Sequence, residues 1–193
     1  MIIEHIKASE LNTNKWTGGT TTQLAIYPKN AEYRKLNFQF RISTATVETQ
    51  ESVFTKLPGI SRKLMILAGE IKIDHKNQYS KTLKKFEQDE FSGNWDTKSY
   101  GKATDFNLMT KENTKGDIEA IILNKNKEFQ HTIVADYYSI YVYTGKINIS
   151  IRNKIYELYD GDILLLMPED YEKDLILMTK EKSEVIFSKV FFN

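Results

Sequence analysis

Apolar residues in this chain come in short runs that alternate with period two and stop at glycine or proline. Nowhere do they repeat with the three-to-four spacing of a long amphipathic helix. Asn37-Phe38-Gln39-Phe40-Arg41-Ile42-Ser43 puts Phe38, Phe40 and Ile42 on one face of a strand and Gln39, Arg41 and Ser43 on the other. Residues 24–27 form an apolar run that stops at Pro28. Lys63-Leu64-Met65-Ile66-Leu67 leads into Ala68-Gly69-Glu70 and resumes as Ile71-Lys72-Ile73, the pattern of two strands joined by a tight turn at Gly69. Similar runs lie at 118–123, 137–142, 147–151, 163–167, 175–178 and 185–187. Many short strands with glycine turns predict an all-β sandwich or barrel.

With 193 residues the chain is long enough for one large domain or two small ones. Its hydrophobic fraction of 40% permits a core that needs no covalent staples. The formal net charge of +1 gives no global field to attract nucleic acid or a membrane surface, so neither is expected as a partner. The absence of cysteine excludes disulfides, thiolate metal sites and cysteine nucleophiles together. Met1-Ile2-Ile3-Glu4-His5 lacks the apolar stretch of a signal peptide, and no apolar run approaches a membrane span. The expected location is the cytoplasm. A Gly-x-Ser-x-Gly elbow and a Gly-Lys-Ser/Thr phosphate loop are both absent.

Several residues stand out from this β background. In Trp16-Thr17-Gly18-Gly19-Thr20, the glycines permit positive φ and close approach of another group. Their amides suit either an anion-binding nest or a plain turn with Trp16 packed on the core. Arg41 and Arg62 sit in strand-like runs of a chain whose other basic residues are mostly lysine. Arginine is the planar, bidentate cation that matches a carboxylate. Arg41 shares a face with Ser43; if that face is interior, Arg41 needs a partner, either a ligand carboxylate or Asp105. Arg62 follows the Pro58-Gly59 turn and is expected near a barrel mouth. Asp105, Asn107 and Met109 alternate along one strand and would share a face, lining a polar pocket or forming an internal network.

The hairpin at Gly69 has an echo at Tyr143-Thr144-Gly145-Lys146-Ile147. Each is followed by an expected acidic turn before another strand, at Asp89-Glu90-Phe91 and at Asp160-Gly161-Asp162-Ile163. The repeat predicts two stacked barrels. The order of strand, glycine, strand, Gly-Asp turn, strand and proline resembles the cupin superfamily. Trp16, Gly18, Gly19, Thr20, Arg41-Ile42-Ser43, Ala45, Phe54, Pro58-Gly59, Arg62, Gly69, Phe91, Gly93 and Asp105-Phe106-Asn107-Leu108-Met109 occur in the order seen in the HutD/Ves family. Gln23 departs from the family pattern, standing where an acidic residue is frequent.

This resemblance implies a bicupin: a first cupin-like barrel over residues 1–125, with N-terminal strands able to cross over, and a shorter second unit over 126–193. A metal-binding cupin has two histidines two residues apart, a nearby glutamate and a late third histidine. Here His5, His75 and His131 are scattered, so neither a metal nor another cofactor is expected. The implied role is binding of a small anionic metabolite, an amino-acid-derived carboxylate, linked to histidine utilisation or a stress response. The expected ligand-binding set is Trp16, Gly18, Gly19, Thr20, Arg41, Ser43, Arg62, Asp105, Asn107 and Met109, with Phe54 closing an apolar wall. No residue is assigned to catalysis. The alternatives are a metal-independent isomerase, lyase or hydrolase using Asp105 or a tyrosine, and an interaction protein without a ligand. Cupin sheet edges also allow a homodimer.

Overall fold

The computed structural model describes residues 1–169 and 174–193. In chain order the strands are β1 (Ile2–Ile6), β2 (Asn12–Trp16), β3 (Gly19–Tyr27), β4 (Phe40–Val47), β5 (Glu51–Val53), β6 (Ile60–Gly69), β7 (Ile71–His75), β8 (Tyr79–Leu83), β9 (Gln88–Ser92) and β10 (Thr97–Tyr100). They continue as β11 (Ala103–Lys111), β12 (Thr114–Leu123), β13 (Glu128–Thr132), β14 (Tyr137–Thr144), β15 (Ile147–Ile151), β16 (Lys154–Leu158), β17 (Ile163–Met167), β18 (Asp174–Met178) and β19 (Ser183–Phe192). Single 3-10 turns lie at Ala8–Glu10 and Tyr33–Lys35, and no α-helix occurs among the described residues. Among the described residues no helix is long and apolar enough to cross a membrane.

Two compact units emerge. One comprises residues 12–115, and the other residues 1–11 with 116–192. These boundaries fall at 11/12 and 115/116, whereas the sequence places a single one at 125/126.

The 12–115 unit pairs a six-stranded sheet, β2-β3-β4-β11-β6-β9, with a four-stranded one, β5-β10-β7-β8. On the inner face, Leu64, Ile66 and Phe91 pack against Ile71, Ile73 and Leu83 of the smaller sheet. Each such burial contributes about 1.5–3 kcal/mol. This apolar half closes the sandwich at β6 and β9. The inner positions of β2, β3, β4 and β11 are largely polar instead, and line an open cavity.

The other unit pairs β1-β17-β14-β19-β12 with β13-β18-β15-β16. Its core is dominated by apolar side chains: Tyr138, Ile140, Val142, Leu164, Leu166, Val185 and Phe187 meet Ile147, Ile149, Leu158, Leu175 and Leu177. The sequence echo is thus an echo of strands and turns without an echo of the polar wall. Gly69 and Gly145 turn the matching hairpins with φ of 82° and 93°.

Two sequence expectations need correction. Asp89 and Glu90 lie within β9 and form no turn. Asp89 tolerates that buried strand position because His75 Nε2 lies 2.9 Å from one carboxylate oxygen and the Tyr79 hydroxyl donates to the other at 3.1 Å. Arg62, expected near a barrel mouth, is buried, 6% exposed, with its guanidinium against the rings of Phe54 and Phe91.

Candidate functional site

The pairing of β3, β4, β11 and β6 sets the cavity wall in rows. Met109 of β11 lies opposite Arg41 of β4 on one side and Arg62 of β6 on the other. In the next row, Asn107 faces Ser43, and Ser43 faces Gln23 of β3. In the third, Asp105 faces Ala45, and Ala45 faces Thr21. Successive rows are two strand residues apart, about 6.5–7 Å. A bulge at Leu24 separates Gln23 from Ala25, so Thr21 and Gln23 face the cavity together with Arg41.

Both arginines start in the Met109 row and reach toward the Asn107 row. Arg41 donates from Nε to Gln23 Oε1 at 2.9 Å and from Nη1 to Ser43 Oγ at 3.0 Å. Arg62 donates from Nη2 to Asn107 Oδ1 at 3.2 Å, and Asn107 Nδ2 donates to Asp105 Oδ1 at 2.9 Å. Because Ser43 and Asn107 are cross-strand partners, the two guanidiniums converge over one residue pair. The Tyr33 ring lies 4.4 Å from the Arg41 guanidinium carbon. Phe54 and Phe91 lie 4.7 and 5.3 Å from that of Arg62.

The hydrogen bonds of the two arginines all end on neutral acceptors, and Arg62 Nε, fully buried, has no partner among the described residues. Burial pulls the Arg41 pKa down and that of Arg62 down to about 10, with the neighbouring Arg41 charge adding to the effect at Arg62. Burial also pushes Asp105 up to about 6, opposed by the Asn107 hydrogen bond and the Arg62 charge. The charged side chains lining the cavity are Lys15, Arg34, Arg41 and Arg62 against Glu32 and Asp105. The wall is therefore cationic, and the volume of about 930 Å³ admits a small metabolite. Such a wall can hold an anion between two forked donors, and Asp105 can exchange a proton beside it.

Seven of the ten expected site residues line this cavity: Trp16, Arg41, Ser43, Arg62, Asp105, Asn107 and Met109. Gly18, Gly19 and Thr20 do not. A Cβ on Gly18 would meet the Trp16 ring at 2.1 Å, and one on Gly19 would meet the Thr46 carbonyl oxygen at 1.9 Å. Close packing in the β2–β3 hairpin, with Gly19 at φ 154°, accounts for both glycines. Thr20 points to the opposite face of β3, and Thr21, receiving the Trp16 indole N–H at 3.2 Å, takes the cavity position. Arg41 makes no direct contact with Asp105; Gln23 and Ser43 hold it. Sequence reasoning missed Tyr33 and gave Gln23 no place in the site.

The histidines are dispersed. His5 lies 3.1 Å from Asp162, His75 is buried with Asp89 and Thr97, and His131 packs edge-on against Tyr138 and Phe187. Among the described residues no group of three or more His, Cys, Asp or Glu is placed to share a metal ion.

Comparison with known proteins fits this architecture. Protein Ves of Escherichia fergusonii is 28% identical over 119 residues, 58% of this chain. The match takes in 60% of Ves, so the chain spans less than two thirds of that relative's length. A conserved protein of unknown function from Pseudomonas aeruginosa superposes with a TM-score of 0.86 at 18% identity, over 99% of this chain and 100% of the other. HutD from Pseudomonas fluorescens gives a TM-score of 0.75 at 16% identity, with both chains fully covered. More distant solved structures with this fold include cupin proteins. The HutD family model matches residues 8–187, and on that extent the chain belongs to the HutD family.

Proposed function

We propose that this protein is a small-molecule-binding bicupin that captures an amino-acid-derived carboxylate between Arg41 and Arg62. One observation carries the reading: two buried guanidiniums converge in an open cavity, and their protein hydrogen bonds end on neutral groups. Isolated buried cations are costly, so they mark a place where an anion completes the structure. Ser43 and Asn107 orient the forks, Met109 sits between them, and Trp16 and Phe54 flank the bound molecule. Occupancy then modulates catabolism, histidine utilisation by analogy with the family, or a stress response. The proposed setting is cytoplasmic, each half forms one cupin-like barrel, and two copies pair through a sheet edge.

A thermal-shift panel of histidine, urocanate, glutamate and formylglutamate tests this reading. At least one carboxylate is expected to raise the melting temperature in a concentration-dependent way. A panel that moves it no more than buffer does sinks the proposal. With a binding carboxylate in hand, Tyr33→Leu removes the ring beside Arg41 and is expected to weaken affinity about three- to fivefold. An unchanged titration would show that Tyr33 does not hold Arg41 in its binding position.

The second reading is a metal-independent enzyme with Asp105 as acid or base. It is favoured by one observation: Asp105 lines the cavity in reach of the Arg62–Asn107 chain, with a pKa raised to about 6. Product formation from a bound carboxylate, abolished by Asp105→Asn, would support it. A ligand recovered unchanged from the wild-type protein would leave binding as the function.

A further inference from the structure

We infer that anion capture at this site is coupled to uptake of a proton by Asp105, which makes the cavity a pH-gated receptor. The inference rests on the anion-binding reading above. Its geometry is the chain of side chains leading out from Arg62. Arg62 donates to Asn107, and Asn107 turns its amide to donate to one oxygen of Asp105. The other Asp105 oxygen has no protein hydrogen-bond partner among the described residues. Asp105 itself is 5% exposed and lies one row, about 6.5–7 Å along the strand, from the pair over which the guanidiniums converge. An anion seated there therefore sits near a buried carboxylate, in a medium where charges are poorly screened. Protonation removes that repulsion, and it raises the charge of the three-residue floor, Arg41, Arg62 and Asp105, from +1 to +2.

The surrounding elements supply no carboxylate beside Asp105 and no other proton acceptor that would relieve it. From β4 it faces Ala45, with Arg41 two rows away; from β6 it faces Ile66, with Arg62 two rows away; from β3, Thr21 and Gln23 line the same wall. Lys15 of β2 and Tyr33 and Arg34 of the 3-10 turn also line the wall. Glu32 lines it too, but Lys35 holds its carboxylate at 2.5 Å, and both side chains are exposed. The stretch from Ser52 to Thr55 contributes no ionisable side chain. No histidine lines the cavity among the described residues.

The direction of the effect follows from linkage. The free site holds its Asp105 proton below about pH 6. A bound anion pushes that pKa higher. Affinity is then constant below about pH 6 and falls about tenfold per pH unit above it, until the pKa of the complex is reached. The arginines stay charged throughout, since even Arg62 titrates only at about 10.

The test uses the full chain with methanesulfonate, whose charge is constant over this range, and with acetate. Dissociation constants are measured by calorimetry at about pH 5.5 and about pH 8. Each anion is expected to bind at least tenfold more tightly at the lower pH. Near pH 7, titrations in two buffers of different ionisation enthalpy are expected to report net proton uptake. Asp105→Asn, which keeps the bond to Asn107, is expected to bind equally at both pH values. Equal affinity of the wild type at both pH values, without proton uptake, overturns the proposal but leaves anion binding standing. A pH dependence retained in Asp105→Asn overturns it as well. If neither anion binds at either pH, the anion-site reading falls and this coupling falls with it. The buffer experiment needs only the wild-type protein, so a failure of the variant to fold does not shield the inference.

Discussion

Arg62→Met is expected to weaken carboxylate binding about a hundredfold while raising the melting temperature of the unliganded protein by about 2–4 °C. The two signs together separate a ligand-binding arginine from a structural one. In the unliganded protein, Arg62 is a buried cation with one hydrogen bond to a neutral amide and an Nε–H without a partner among the described residues. Replacing buried ion pairs by apolar side chains of similar volume is neutral or stabilising by about 1–4 kcal/mol, and for this single charge the low end, about 1 kcal/mol, sets the expected rise of about 2–4 °C. Methionine keeps the contact with Phe54 and Phe91, because a thioether also packs well against rings. The comparison belongs at about pH 5.5, where Asp105, with its pKa of about 6, is mostly neutral and does not miss the guanidinium. Binding is read by calorimetry and stability by thermal melting on the same samples. A lower melting temperature with unchanged affinity would make Arg62 a structural residue and remove half of the proposed anion site.

The face assignments of this wall were legible in the sequence, because strand alternation needs only local information. Phe38-Gln39-Phe40-Arg41-Ile42-Ser43 places Arg41 and Ser43 on the same side, and they line the cavity together. The same rule groups Asp105, Asn107 and Met109. What alternation cannot give is register between strands. Nothing local says that Met109 lies between the two arginines, or that Asn107 links Arg62 to Asp105. Thr20 was expected in the site and Thr21 occupies it, a one-residue difference that reverses the face in a strand. The signal was present in part: Trp16 pairs with Gly19 across the hairpin, which fixes the parity of β3. The bulge at Leu24 is silent in the sequence, and without it Thr21 and Gln23 could not share a side with Ile26. Tyr33 was out of reach for another reason. It reaches Arg41 from a single 3-10 turn in the connection between β3 and β4, where no periodicity applies. Proline, glycine and acidic residues also mark turns only statistically, so Asp89-Glu90 read as a turn although long-range partners at His75 and Tyr79 hold Asp89 in a strand.

Gln23→Glu is the converse experiment, since it adds a competing charge where Arg62→Met removes an attracting one. Gln23 Oε1 accepts from Arg41 Nε at 2.9 Å, so a carboxylate at this position forms an ion pair with little rearrangement. The pair would saturate Arg41 and place a negative charge on the strand next to Ser43, beside the seat of the anion. For a separation of about 6 Å at an effective dielectric of about 20 this costs an incoming monoanion about 2.8 kcal/mol, about a hundredfold in affinity. The site is half-buried, so the loss is expected to persist at about 0.15 M salt. The fold should not suffer: a partner for a buried arginine keeps the melting temperature equal or higher. Calorimetry with acetate and methanesulfonate, beside thermal melting, reads both quantities. Affinity within about threefold of the wild type would mean that the anion does not sit against Arg41. That result would move the binding site away from the place where Arg41 and Arg62 converge over Ser43 and Asn107. Conversely, a hundredfold loss in a protein that melts no lower identifies Gln23 as the residue that leaves Arg41 free for an external carboxylate.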